Sequence, residues 1–374
     1  MRVSQHIWRD GVMEPALPGD TPQLVLLFGN QAARDVLPEL QQRFPDTPLA
    51  GCSTSGQIAK RGVCDGVATI TLMYFSDTRI QMFSSEIHDA RDSRTQASEL
   101  ARQAQQADLQ HLMILADGLS IDAQAAVQGI SQTLAPFNNI SGGVAGDNER
   151  YQQTFTYHQQ GISSKRIILI GFYGDKLQVN YGCYGGWKAF GPMRYVTRSE
   201  GNRLYELDGQ SALALYEQYL GEHAKNLPAS GQRFPLGVRY HEQDTDQVVC
   251  TVFGIDRDDD CLIFALNIPE GAITQLMHAS IDSLIDGAQV ASEQACGDCN
   301  SQCPEFALLV SCIGRRSVLQ QIADEEIEVL SETLCSDIPH SGFYSYGEIA
   351  PIMGTGPCSL HNQTMTVTTF SELK

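Results

Sequence analysis

Cys296, Cys299 and Cys303 stand in a Cys-x-x-Cys-x-x-x-Cys run. Thiolates this close together are soft ligands for zinc or an iron–sulfur cluster. The fourth ligand would come from Cys312, Cys335 or a histidine. The same thiols could instead form a redox switch, Cys296–Cys303 or Cys299–Cys303. A bland alternative is an exposed connector that binds nothing. A second group of chemistry-bearing residues lies near the C-terminus, where Glu348, His361, Asn362 and Gln363 crowd one loop region. Glu348 and His361 would make an acid/base pair only if that loop brings them together. Cys52 and Ser53 follow a strand on a glycine turn, a place where a nucleophile can be presented. The surrounding Gly-Cys-Ser-Thr-Ser-Gly is not a Gly-x-Ser-x-Gly elbow, and no His or Asp partner is fixed by spacing. The expectation is therefore a binding protein rather than an enzyme. In Gly142-Gly143-Val144-Ala145-Gly146-Asp147-Asn148 the glycines would let backbone amides face a ligand, although the Lys-Ser/Thr of a P-loop is missing.

These residues need elements to hold them, and the elements repeat. Leu24–Gly29 is a continuous apolar run, suited to a strand buried on both faces. A helical stretch follows over Gln31–Phe44, with Val36, Leu37, Leu40 and Phe44 on one side. Then come the glycine turn from Pro48 to Ala59 and a β-rich run from Val67 to Phe75. The same order recurs in Ala307–Cys312, a helix, Gly342–Ala350 and Thr364–Phe370. Gly51, Gly56 and Ile58 take the places of Gly342, Gly347 and Ile349. A looser copy runs Leu112–Gly118, a helix capped by Ser120 or Asp122, Asn139–Asn148 and Arg166–Tyr173. Between the second and third copies the sequence predicts a hairpin through Glu200-Gly201-Asn202 and a helix over Ala212–Ala224 with Leu215, Tyr219 and Leu220 inward. Strands are predicted near Leu236–Tyr240, Val248–Ile255 and Leu262–Leu266, then a helix from Pro269 that carries His278, Ile281 and Leu284. The fold class is α/β: mixed β-sheets with outer helices, built from strand–helix–strand–turn–strand units in two intimately joined halves.

The pieces GCSTSGQIA, SGGVAGDN, ALLVSCIGRR, GFYSYGEIAP and HNQT, in this order, resemble the signatures of FIST-domain proteins. The resemblance spans roughly Leu24 to Phe370. It implies a lead-in segment over 1–22, an N-terminal FIST domain over 23–180 and a C-terminal one over 181–374. It also implies a sensory, small-ligand-binding module. A bacterial branch of stand-alone members, similar in length and layout, binds haem b, senses nitric oxide and regulates a histidine kinase. If haem is bound, the sequence surroundings rank His241 first, His278 second and His361 third as candidate axial ligands, the resemblance itself choosing none of them, and Arg194 and Arg239 are the candidate propionate partners. Without haem, the glycine-loop pockets would take a small polar ligand such as an amino acid. Its contacts would come from Cys52, Ser53, Gly146, Asp147, Glu348, His361, Asn362 and Gln363. A homodimer is a further expected partner.

Composition narrows the classes. Of 374 residues, 42% are hydrophobic and 18% charged, enough for a large core. The net charge of −19 argues against nucleic-acid or anionic-membrane partners, which need basic surface. Residues 1–15 lack the apolar stretch of a signal peptide, and no run approaches the ~18 apolar residues of a membrane helix. The expected location is cytoplasmic, with the eleven cysteines reduced.

Overall fold

The computed structural model describes all residues except 60–61, 245–246, 298–302, 336–337, 355 and 374. The apolar runs Leu24–Gly29, Leu109–Ala116 and Phe306–Cys312 are strands buried along nearly all of their length. A strand without a polar face must sit inside a sheet covered on both sides. Each lies parallel to the next strand of its unit, respectively Leu49–Cys52, Ile140–Val144 and His340–Ser345. Each is antiparallel to the last, respectively Ala68–Tyr74, Arg166–Tyr173 and Met365–Glu372. All three sequence copies therefore share one topology, including the loosest.

One glycine per unit shows why the motif repeats. Gly51 faces Leu27, Gly142 faces Ile114 and Gly342 faces Leu309 across the parallel pair. A Cβ at these glycines would lie 1.8, 1.9 and 1.7 Å from the opposing carbonyl oxygens. Only glycine admits that approach. The strand after each glycine turn then leaves its own unit. Gln57–Ala59 pairs with His340–Ser345, Gly347–Pro351 with Ile140–Val144, and Thr156–His158 with Leu49–Cys52. Ile58 sits opposite Gly342, and Ile349 opposite Gly142. The three units thus close into a ring by exchanging strands. Phe28, Met113, Leu115, Ile170, Val310, Phe343 and Phe370 meet in one shared cluster.

The helices lie outside this core: α1 (Gln31–Arg43), α2 (Ser93–Ala104), α3 (Ala123–Leu134), α4 (Ala212–Leu220), α5 (Ile281–Cys296), α6 (Ile313–Leu319) and α7 (Ala323–Thr333). Val36, Leu37 and Leu40 form the buried face of α1, as their spacing predicts. Asp122, not Ser120, caps α3 by accepting from the Ala125 N–H at 2.9 Å. Arg315 and Glu326, both fully buried, pair at 2.8 Å between α6 and α7. The same guanidinium donates to the carbonyls of Gly185 (2.5 Å) and Leu284 (2.7 Å).

Residues 188–278 form a further sheet of short strands beside α4. Here the structure corrects the sequence reading. Ile273–His278 is a strand between Leu236–Arg239 and Arg194–Glu200, not part of a helix. Neighbours on both sides and burial on both faces erase the alternation that marks a strand. The helix starts only at Ile281, capped by Ser280, whose hydroxyl accepts from the Ser283 N–H at 3.1 Å. Tyr219 is 36% exposed rather than inward; Leu215, Tyr216 and Leu220 turn in.

Glu372 ties the last strand of the third unit to the turn after Ala68–Tyr74. It accepts from the N–H groups of Ser76 (2.8 Å), Asp77 (3.0 Å) and Thr78 (2.8 Å). Burial would raise its pKa, but these hydrogen bonds outweigh it and hold the carboxyl at about 2. A pKa lowered on folding stabilises above the ordinary carboxylate range, and that gain fades as pH falls toward the folded value. Glu372→Gln should therefore be less stable than wild type at pH 7. The gap between their urea midpoints should narrow between about pH 4.3 and pH 2. A gap that stays constant across this range would contradict the assignment.

Candidate functional site

The ends of the parallel strands set the site. Outside the carboxyl ends of Leu24–Gly29 and Leu49–Cys52 lies a cleft of about 690 Å³. Open α/β sheets bind ligands at this position. Its walls come from all three units: the start of α1, the loop over 147–155, and α6. Asn30 precedes α1, but its side chain does not cap the helix. Instead it exchanges hydrogen bonds with the Thr54 backbone, both at 3.0 Å. The first N–H groups of α1 are left without a side-chain cap and add positive potential at the cleft.

Three guanidiniums line the same cleft: Arg34, Arg150 and Arg316. Arg34 lies over the Phe155 ring, 3.8 Å from its centroid. Arg150 is oriented by the Asp147 carbonyl at 2.9 Å. Arg316 donates to the Ser55 carbonyl and, at 2.5 Å, to Asp65. Three cations around one cavity stand out in a chain of net charge −19. Gln57 adds a different group. It is 2% exposed, and its amide N–H₂ donates to the Thr54 hydroxyl at 2.6 Å. Its Oε1 has no donor among the described residues. A buried acceptor left this way costs about 1–3 kcal/mol until something donates to it.

Asp147 shapes the cleft. Its carboxylate accepts from the N–H groups of Tyr151, Gln152 and Gln153, each at 2.9 Å, and from the Tyr346 hydroxyl. Burial pushes its pKa up, and these donors, Tyr346 foremost, more than offset that and leave it below the ordinary range. The resulting tight loop presents Asn148 and Arg150.

The sequence-predicted residues fall in several places. Cys52 is fully buried in its strand, and burial raises its thiol pKa well above the ordinary value. Ser53 is engaged with the loop: its N–H donates to the Phe155 carbonyl and its hydroxyl accepts from the Phe155 N–H, both at 2.8 Å. Gly146 passes against Ser55, so closely that a Cβ would sit 2.4 Å from the Ser55 hydroxyl oxygen. None of these three lines the cleft, whereas Asp147 does. Glu348 and His361 face each other as cross-strand neighbours. Glu348 is fully buried and accepts from Ser345 (2.6 Å) and Thr364 (3.0 Å). Burial raises it to about 7 against those bonds. His361 Nε2 contacts the Ala350 carbonyl at 3.0 Å, and desolvation lowers its pKa. Gln363 donates to Thr251 and to the Gln232 carbonyl, at 3.0 and 2.9 Å. Asn362 lines a second cleft together with Tyr346.

The haem candidates do not converge. His241 and His278 are exposed, beyond or at opposite ends of neighbouring strands, and His361 belongs to a different sheet. Among the described residues His278 meets one aromatic ring, Phe190, in an edge-on contact at 5.1 Å. None of the three lines either cleft described here. Arg194 is engaged by Asp208 (3.1 Å) and Tyr219 (2.7 Å). Arg239 differs: its Nε is buried with no acceptor among the described residues, and it lies two residues before His241 beside the exposed Met193.

The cysteine run departs from the expectation of reduced thiols. Cys303 is bonded to Cys335, the end of α7 bringing the two Cα atoms to 6.2 Å, an ordinary disulfide span. Cys296 is also disulfide-bonded, and Cys299 lies outside the described residues. Oxidised sulfur is a poor metal ligand, so a thiolate site built on Cys296 and Cys303 is not formed in this state. Among the described residues no three His, Cys, Asp or Glu side chains converge as a metal site.

Sequence reasoning missed Asn30, Arg34, Gln57, Arg150 and Arg316. The available signal was arginine placed within a few residues of each strand end in an acidic chain.

The fold and cleft define a ring of α/β repeats with a ligand-sized opening at its strand ends. Comparison with known families assigns that class. The FIST N domain matches residues 23–210 and the FIST C domain residues 212–351, and the chain belongs to the FIST family. It is a sensory, small-ligand module of that family. The chain is 23% identical over 367 residues to the uncharacterized protein Rv0628c of Mycobacterium tuberculosis, covering 95% of this chain and 92% of that protein. It is 23% identical over 374 residues to the uncharacterized protein Mb0898c of Mycobacterium bovis, covering 96% and 93%. No helix among the described residues is long and apolar enough to cross a membrane.

Proposed function

We propose that the cleft beside α1 binds a small zwitterion of amino-acid type, and that its occupancy is signalled through protein contact, a histidine kinase being the expected partner. One observation carries this reading: Gln57, whose buried Oε1 has no donor among the described residues, lines the same cavity as Arg34, Arg150 and Arg316. The guanidiniums suit a carboxylate, which they can hold through paired N–H groups. An anion alone would leave Gln57 unsatisfied, whereas an ammonium beside the carboxylate would donate to it, with Asp65 adding negative charge. The test is a thermal-shift screen of the common amino acids followed by calorimetry. A hit should stabilise the protein in proportion to ln(1 + [L]/Kd). Arg150→Ala should weaken it about tenfold or more, the cost of one lost charged hydrogen bond. The deaminated acid should also bind more weakly. Equal binding of the amino acid and the deaminated acid would refute the role of Gln57.

Arg239 favours a second reading. Its acceptor-less Nε, close in sequence to His241, offers a haem propionate a partner, and His241 would be the axial ligand of a nitric-oxide-responsive haem b. Haem bound there would supply the gas-sensing chemistry; the chain would supply His241 and Arg239. Reconstituted protein should show a sharp Soret band that His241→Ala abolishes. A broad band unchanged by that substitution removes this reading and leaves the first intact.

A further inference from the structure

The second unit has a cleft at the position corresponding to the first. It lies outside the carboxyl ends of Leu109–Ala116 and Ile140–Val144 and has a volume of about 330 Å³, near the lower bound of roughly 300 Å³ for small-molecule sites. Its walls are Tyr346, Phe253, Leu360 and Val144, with Asn362 among them. The rings of Phe253 and Tyr346 meet edge to face, 6.1 Å apart.

Two features set its chemistry. First, the cleft offers almost no charge. Its one acidic lining residue, Asp122, is occupied as the cap of α3. Tyr346 contributes its ring, while its hydroxyl turns away to Asp147 and to the Asn148 carbonyl at 2.6 Å. Second, Asn362 is 2% exposed and its Oδ1 has no donor among the described residues. The orientation of that amide is fixed, because its nitrogen donates to the carbonyls of His361 (3.1 Å) and Tyr346 (3.4 Å). Rotating it by a half-turn would set oxygen against oxygen. Asn362 thus lines the cleft with a buried carbonyl oxygen left unsatisfied.

We propose that this cleft is a second ligand site, taking an uncharged planar ring that carries an N–H donor, such as an aromatic carboxamide. The ring lies against Phe253 and Tyr346, and its N–H donates to Asn362 Oδ1. The zwitterion of the first cleft is excluded here because nothing neutralises its carboxylate.

The test uses the full chain with nicotinamide and benzamide as probes, and their methyl esters, which keep the ring but lack the N–H. Binding is read by calorimetry and saturation-transfer NMR. The amides should bind at least about tenfold more tightly than the esters, the loss expected when a buried acceptor loses its donor. Ala123→Trp, at the half-buried start of α3 on the cleft wall, should abolish amide binding without changing amino-acid binding in the first cleft. Asn362→Ala should remove the preference for amide over ester; Phe253→Ala weakens both probes alike and serves where Asn362→Ala does not fold. Equal affinity for amide and ester, survival of binding in Ala123→Trp, or no amide binding at its solubility limit would each overturn the proposal.

Discussion

Gly342→Ala will fail to yield stable folded protein. Its Cβ would sit 1.7 Å from the Leu309 carbonyl oxygen, a backbone atom within a buried strand. No rotamer relieves that contact, so the parallel pair must separate. The pair also carries Gln57–Ala59 on its other edge, so two units of the ring lose their seam. The expected loss exceeds about 4 kcal/mol, at the extreme of single substitutions. Gly51→Ala and Gly142→Ala should behave alike, with contacts of 1.8 and 1.9 Å. Gly19→Ala, where a Cβ meets nothing within 4 Å, is the control and should stay within about 0.5 kcal/mol of wild type. Urea denaturation of the soluble fraction decides. A Gly342→Ala protein within about 1 kcal/mol of the control would show that the glycine approach is not what holds the units together.

Arg315→Met should cost about 3–5 kcal/mol, because it leaves the buried Glu326 carboxylate without its cation. Among the described residues Glu326 would keep only Tyr344 (2.6 Å) and Ser311 (3.2 Å) as donors. Arg315→Met with Glu326→Gln should recover part of the loss, since the amide oxygen can still accept from Tyr344. The double-mutant cycle then gives the coupling of the pair. The single variant should also weaken ligand binding beside α1. Arg315 anchors α6 inward while the next residue, Arg316, faces the cleft. A single variant as stable as the double one would exclude a net role for the ion pair.

The sequence made the frame readable where the backbone itself demanded a residue type. Glycine at 51, 142 and 342 is forced by a carbonyl in van der Waals overlap with any Cβ, so the motif survives in all three copies. The apolar runs of the lead strands are forced in the same way by burial on two faces. The sheet over residues 188–278 was harder. Its strands are short, and Ile273–His278 has buried residues on successive positions, a pattern shared by helix and inner strand. The candidate site was least readable. Ser53, Asp147 and Asn362 attract notice as polar residues on glycine turns. In the structure Ser53 and Asp147 mainly hold loops, and only Asn362 leaves an atom open. The arginines that define the first cleft come from separate units, about 280 positions apart between Arg34 and Arg316, and no local pattern joins them. Their meeting is a product of the strand exchange.

Tyr346 lines the second cleft, and its hydroxyl holds Asp147, which lines the first. Anything that tilts the ring also pulls on Asp147, and so on the loop that carries Arg150. A thermodynamic cycle then binds the two equilibria: whatever factor an amide imposes on amino-acid affinity, the amino acid must impose on amide affinity. If that factor exceeds one, the protein reports the presence of both molecules together; if it is below one, it reports their ratio. Tyr346→Phe, which keeps the ring and removes the hydroxyl tether, would bring the factor toward unity while leaving both sites able to fill.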